Sequence, residues 1–219
     1  MTAMSHVPPH PAPDVEFFWD PVCPWAWITS CWVREVQRLR GLDVDWRFIS
    51  LRMVNEGRPD ADYPASHQEV HDRGLRLLRV AAAVRADHGR GVVGELYRAY
   101  GHAMHNERDR ARFDEPAAIV AVLRGLDLPG EHADAATSTA FDDVIRLDTT
   151  AALERCGGNV GTPVISWSPP DGASFFGPVI SKAPKGDEAL RLWDAISELG
   201  ANPWFSELKR STRSAPQFD

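Results

Sequence analysis

The chain has 219 residues, 43% of them hydrophobic, which is enough to bury a core of its own and reads as one domain with an insertion. Its formal net charge of -7 argues against nucleic acid or an anionic membrane as the main partner, because both reward a basic surface. No stretch is long and apolar enough to span a bilayer, and three cysteines do not make a structural disulfide framework.

Residues 1–14 are rich in Pro and His and are expected to form a disordered tail. They carry neither a basic start nor an apolar segment, so they do not read as a signal peptide, and the expected location is the cytoplasm, where thiols stay reduced. Val15 to Trp19 then reads as a central strand. From Pro24 to Arg40, Trp25, Ile28, Trp32, Val36 and Leu39 recur at helical spacing, with Pro24 suited to a first turn and Gly41 ending the helix. Leu42 to Leu51 alternates apolar with charged residues, the pattern of a half-buried strand, and completes a β-α-β unit.

From Asn55 the pattern is helical, broken by turn signals near Gly57, Gly89, Pro116 and Pro129. A helix is expected from Ser138 to Cys156. Pro163 to Trp167 and Ala173 to Phe176 read as two strands around the turn Ser168-Pro169-Pro170-Asp171-Gly172. A helix over Gly186 to Leu199 and a short one over Pro203 to Lys209 finish the chain. This order gives an α/β, thioredoxin-like frame: 15–54 its first part, 55–135 an inserted helical subdomain, and 136–219 its second part with a C-terminal tail.

The chemistry concentrates at Cys23-Pro24-Trp25-Ala26, between the first strand and the first helix. A helix N-terminus offers unpaired N–H groups and the positive end of the dipole, which favour a thiolate, so Cys23 is expected to have a lowered pKa. Ala26 stands where a C-x-x-C pair would have its second thiol. Cys23 therefore cannot close a local disulfide, and any redox cycle needs a thiol from elsewhere. Attack gains little from a lowered pKa, whereas departure of the Cys23 sulfur from a mixed disulfide gains much. A buried, inert cysteine is the alternative.

Val160-Gly161-Thr162-Pro163, just before an apolar strand, fits a cis-proline loop facing the cysteine, with the Thr162 backbone offered to a bound thiol or peptide. Cys31 is too far along the same helix for a disulfide and reads as core, while Cys156 lies close enough in sequence to that loop to be considered as a resolving thiol. His67 with His71 and His102 with His105 share helix faces, but no third ligand accompanies them, so no metal is expected. Asn55, Tyr63, His105 and Asn106 are candidates for the cleft above Cys23, with Trp19, Trp25 and Trp27 as apolar walls.

Phe18-Trp19-Asp20-Pro21-Val22-Cys23-Pro24-Trp25, Trp27-Ile28-Thr29-Ser30, Val160 to Pro163, Phe175 to Val179 and the ending Pro203 to Asp219 resemble the DsbA-like thioredoxin-fold proteins of actinobacteria. Among them the chain is similar to the mycothiol-dependent reductases of the nitroreductase type. The resemblance implies a cytosolic thiol-disulfide oxidoreductase with mycothiol, or glutathione, as co-substrate. It implies a helical lid, a small aromatic or disulfide substrate, and, by analogy, a homodimer. That family has C-P-W-C, and this chain departs from it at Ala26, which leaves a single active-site cysteine. Kappa-class glutathione transferases and 2-hydroxychromene-2-carboxylate isomerases also lack the second cysteine, so a transferase or isomerase using a thiol cofactor is the enzymatic alternative. A redox-inactive binding module is the other.

Overall fold

Val15–Trp19 (β1) is buried along its whole length, as a strand covered on both faces must be. Val44–Phe48 (β2) pairs with it in parallel, placing Trp46 beside Phe17. Val164–Trp167 (β3) pairs antiparallel on the other edge, placing Ile165 beside Phe17. Ser174–Phe176 (β4) adds to β3, so the sheet order is β2-β1-β3-β4. The computed structural model describes residues 12–59, 63–158, 160–210, 212 and 214–218.

Because side chains alternate along a strand, β1 splits its residues between two cores. Val15, Phe17 and Trp19 share one with Trp46, Phe48 and Ile165, covered by Trp27, Trp32, Val33 and Val36 of the helix Pro24–Arg40 (α1). Phe18 joins Ile49, Ala152 and Val164 in the other. That second face also carries an ionic network, in which Arg47 bridges Glu16 at 2.8 Å and Asp148 at 2.5 Å, Arg85 reaches Asp148 at 2.6 Å, and Arg155 contacts Glu16. Burying a large apolar side chain contributes roughly 1.5–3 kcal/mol, whereas desolvation offsets much of a buried ion pair, so the aromatic face carries the stability.

β2 is shorter than the alternation over 42–51 predicts. Ser50 leaves the strand to cap the short helix Leu51–Val54 (α2), its hydroxyl accepting from Met53 N. The chain then passes through Ala65–His88 (α3), Val93–Gly101 (α4), a π-helical turn at His102–Asn106, Pro116–Gly125 (α5) and Asp142–Arg155 (α6). Leu77, Leu78, Val80 and Tyr97 of α3 and α4 enter the same core as the sheet. Gly186–Ala201 (α7) packs Trp193 against Trp32 of α1, the rings 5.4 Å apart.

Two expectations are corrected at the ends. No helix forms over Pro203 to Lys209: Pro203 follows the end of α7, and the Asn202 side chain accepts from Trp204 N at 3.0 Å, diverting the chain into a turn. The expected disordered tail stops short of Asp14, whose carboxylate accepts from Asp43 N at 2.8 Å while its carbonyl accepts from Ser168 N at 2.9 Å. Residues 1–11 lie outside the described residues. At the other end, Gln217 N donates to Ser181 O at 2.8 Å and brings Phe218 back against His105, with ring centroids 5.5 Å apart.

Candidate active site

Cys23 is the N-cap of α1, and its sulfur accepts from Ala26 N at 3.4 Å. The residue that replaces a second thiol thus still gives its backbone N–H to the first. Pro24 occupies the first turn, where its missing N–H costs nothing. The Cys23 thiol donates to Thr162 O at 3.5 Å. Thr162 precedes Pro163 through a cis peptide bond, and its hydroxyl is fixed by donating to Phe18 O at 3.0 Å. The cysteine and the proline loop, 139 residues apart, are therefore brought together, and the Thr162 carbonyl already has the Cys23 thiol as its donor.

The expected thiolate is not what the site favours. Burial pushes the Cys23 thiol up to about 12, against the lowering effect of the Ala26 amide; the neighbouring Asp20 charge raises it further, while the Trp25 amide and Arg110 oppose. Desolvation outweighs the helix terminus here because Cys23 is only 7% exposed. Asp20 itself is wholly buried, and burial holds its carboxyl up at about 7 even though it accepts from Val22 N at 3.0 Å and Leu51 N at 2.8 Å.

The remaining candidates fall into distinct positions. Trp19 is fully buried and stacks on Tyr97 at 4.1 Å, so it supports the end of β1 from within the core and does not wall an open cleft. Trp25 is half-buried beside Cys23. Asn55 ends α2 and donates from Nδ2 to Leu51 O at 2.6 Å. Tyr63 is buried, with its hydroxyl 2.8 Å from His71 Nδ1. His105 is also buried; its Nε2 is 2.9 Å from Pro21 O, an acceptor that fixes the Nε2–H tautomer, and burial lowers its pKa to about 4. His105 thus braces the loop that carries Cys23 as a neutral imidazole.

Trp27, further along α1, reaches a small cavity. Its indole N–H donates to Asn106 Oδ1 at 2.9 Å, and its ring stacks over His105 at 6.2 Å. Cys31 is half-buried and lines this cavity with Trp27, Ile28, Lys185 and Phe218, at the edge of the core and not within it. The volume is about 90 Å³, well below the roughly 300–1,000 Å³ of most small-molecule sites. Cys156 packs beside Phe18 and Ala152, and burial raises its thiol to about 11. All three cysteines are free.

Sequence reasoning passed over Asp20, Gly74 and Gly101. An ionisable residue directly after the apolar run and three before Cys23 was a readable signal for the first. The glycines were not readable, because their role is close approach between distant elements: a Cβ on Gly74 would lie 2.6 Å from Asp20 Oδ1, and one on Gly101 would lie 2.6 Å from Trp27 Cδ2.

Several known proteins share this architecture. A probable DsbA oxidoreductase, SCO1869 from Streptomyces coelicolor, superposes with a TM-score of 0.57 at 18% identity, over 90% of this chain and 94% of that one. The cytosolic disulfide reductase DsbM from Pseudomonas aeruginosa, in its structure with GSH, superposes with a TM-score of 0.56 at 13% identity, over 83% and 98% of the two chains. At such identities these likenesses establish the DsbA-like thioredoxin fold. The uncharacterized protein Rv2286c of Mycobacterium tuberculosis is 31% identical over 202 residues, covering 90% of this chain and 81% of that protein. The family model described as mycothiol-dependent nitroreductase Rv2466c matches residues 22–210, from the residue before Cys23 to past α7, and the chain belongs to that Rv2466c-like family.

Proposed function

We propose that this protein is a thiol-dependent oxidoreductase that works through Cys23 alone and draws electrons from a low-molecular-weight thiol, mycothiol or glutathione. The family supports thiol-dependent redox chemistry, and the fold, shared with a disulfide reductase and a 2-hydroxychromene-2-carboxylate isomerase, is compatible with redox or isomerase chemistry. The observation that carries the finer reading is the Cys23 thiol resting on Thr162 O beside Pro163 with an alanine at the second motif position. A disulfide approaching there exchanges with Cys23 to give a mixed disulfide and one free thiol, and a second thiol then releases Cys23. One such cycle exchanges one external thiol into the disulfide, so full reduction of a small disulfide in the cytoplasm consumes two thiols, which pass two electrons to it. The family description adds a small nitro-aromatic as a second substrate class, with two thiols oxidised to a disulfide for every two electrons it accepts. Pro163, Trp25, Asn55, Tyr63 and His105 shape the thiol site, the helical segment 55–135 acts as its lid, and the chain pairs as a homodimer. Cys156, half-buried and with a raised pKa, is not favoured as a resolving thiol.

Intact-mass analysis after incubation with oxidised mycothiol or oxidised glutathione tests this directly. One thiol adduct, mapped to Cys23 and removed by excess free thiol, is expected; an unmodified Cys23 would sink the mechanism. Turnover of a substrate without oxidation of the thiol would instead mark the isomerase reading, which the missing second cysteine also permits.

A further inference from the structure

Residues 214–218 come back against His105 after α7, although no helix or strand holds them. Their attachments are few. Ser214 O accepts from Ser181 Oγ at 3.0 Å, and Gln217 N donates to Ser181 O at 2.8 Å. The half-buried Phe218 ring lies against His105, with centroids 5.5 Å apart and planes inclined by 34°. Residues 206–210 and 212, which lead to this segment, are exposed. Gln217 and Phe218 also border the cavity of about 90 Å³, together with Trp27, Ile28 and Cys31 of α1. A segment fixed by two hydrogen bonds and one ring beside a void belongs to the low-stability end of a structure and opens without global unfolding.

Phe218 covers the residue that braces the Cys23 loop. His105 is 1% exposed and donates from Nε2 to Pro21 O at 2.9 Å, two residues before Cys23. Trp27, another ring against His105, is fixed within α1 and by its indole bond to Asn106. Among the described residues, Phe218 is thus the ring neighbour of His105 that a local opening can remove. His105 Nδ1 is buried with no partner among the described residues, so water admitted beside the ring would gain a hydrogen-bond site there and offset part of the cost of opening.

We propose that residues 214–218 form an autoinhibitory strap: seated, Phe218 keeps His105 on Pro21 O and the Cys23 loop shut; lifted, it lets His105 withdraw and opens Cys23 to a disulfide. The lifted state is the one that binds, so an incoming substrate selects it from the equilibrium, and its apparent affinity scales with the fraction of molecules in which the strap is lifted. A thiol only 7% exposed at rest thereby remains reachable.

The inference rests on Cys23 being the reactive thiol, as proposed above, but its test uses no thiol substrate. Alkylation of Cys23 by iodoacetamide is followed at pH 8 by peptide mass spectrometry in the parent, in Phe218→Ala, in a variant lacking residues 214–219, and in Phe218→Tyr, which keeps the ring. The imidazole of His105 is titrated by NMR in the same set. Burial holds His105 at about 4 in the parent, so it is neutral at pH 8 and the alkylation rate there reports access. Losing a half-buried phenylalanine raises an opening equilibrium about five- to tenfold. Phe218→Ala and the shortened variant should therefore alkylate at Cys23 at least about fivefold faster, and His105 should titrate nearer its ordinary 6.5. Phe218→Tyr should match the parent. Two variants without the ring are used so that a folding defect in one leaves the other to decide. A Cys23 rate or a His105 midpoint left at the parent value without the ring would overturn the inference, and so would an equal change in Phe218→Tyr. Faster alkylation together with no thiol adduct on Cys23 would leave the strap standing and remove the proposed oxidoreductase activity.

Discussion

Replacing Gly101 with alanine tests whether the end of α4 fixes Trp27. The new methyl would lie 2.6 Å from Trp27 Cδ2 and nearer still to Cε3 and Cζ3, where about 3.5–4.0 Å is comfortable between carbons. Trp27 has little room to yield. It meets Tyr97 edge-on at 5.8 Å, stacks on His105, and bonds Asn106 through its indole N–H. Overpacking of this kind costs typically ~1–3 kcal/mol, and loss of the indole bond adds ~0.5–1.5 kcal/mol. Alanine returns at most about 1 kcal/mol of helix propensity, so the balance is a loss of about 2 kcal/mol. For a chain of this length that lowers Tm by roughly 4–8 °C. Gly125→Ala is the matched control, because a Cβ there meets open space; it should be neutral or stabilising by up to ~1 kcal/mol. Urea and thermal unfolding of both variants decide the matter. If Gly101→Ala is as stable as Gly125→Ala, the close approach of α4 to Trp27 does not constrain the site.

Three further outcomes are expected. His105 is neutral in the fold, with its pKa lowered to about 4 from an ordinary 6.5, so its contribution is present above pH 6.5 and is lost as pH falls from 6.5 towards 4; His105→Gln should flatten that part of the stability profile, and an unchanged profile would assign acid lability to other groups. Asp148→Ala strands Arg85, takes one of the two carboxylate partners of Arg47 and removes the acceptor for Phe48 N, so it should cost about 3–5 kcal/mol in urea unfolding; a loss under ~1 kcal/mol would show that the network relaxes into water. Phe218→Ala opens the cavity lined by Cys31, so Cys31 should alkylate several-fold faster while global stability falls by no more than ~1–2 kcal/mol; an unchanged rate would mean that the C-terminal segment does not screen this thiol.

Much of this protein was legible along the chain because the relevant physics is local. The apolar run Val15–Trp19, the helical spacing after Pro24 and the alternation over 42–51 each report burial at a fixed period, and each element formed. Pro24 at a first turn and Cys23 as its cap follow from neighbours in sequence. The expected helix over Pro203 to Lys209 failed for an equally local reason, since Asn202 offered the backbone a turn instead.

The sequence by itself determined that a lone thiol would stand at a helix N-terminus after a buried strand, with a Thr-Pro loop as its expected partner. The tertiary structure alone decided the state of that thiol. Its desolvation, the Thr162 carbonyl it touches, the buried Asp20 carboxyl beside it and the glycine that lets α3 approach all come from segments far apart in the chain. A helix terminus acts on its neighbour wherever it lies, but burial is a property of everything packed around a group, and here burial is the larger effect.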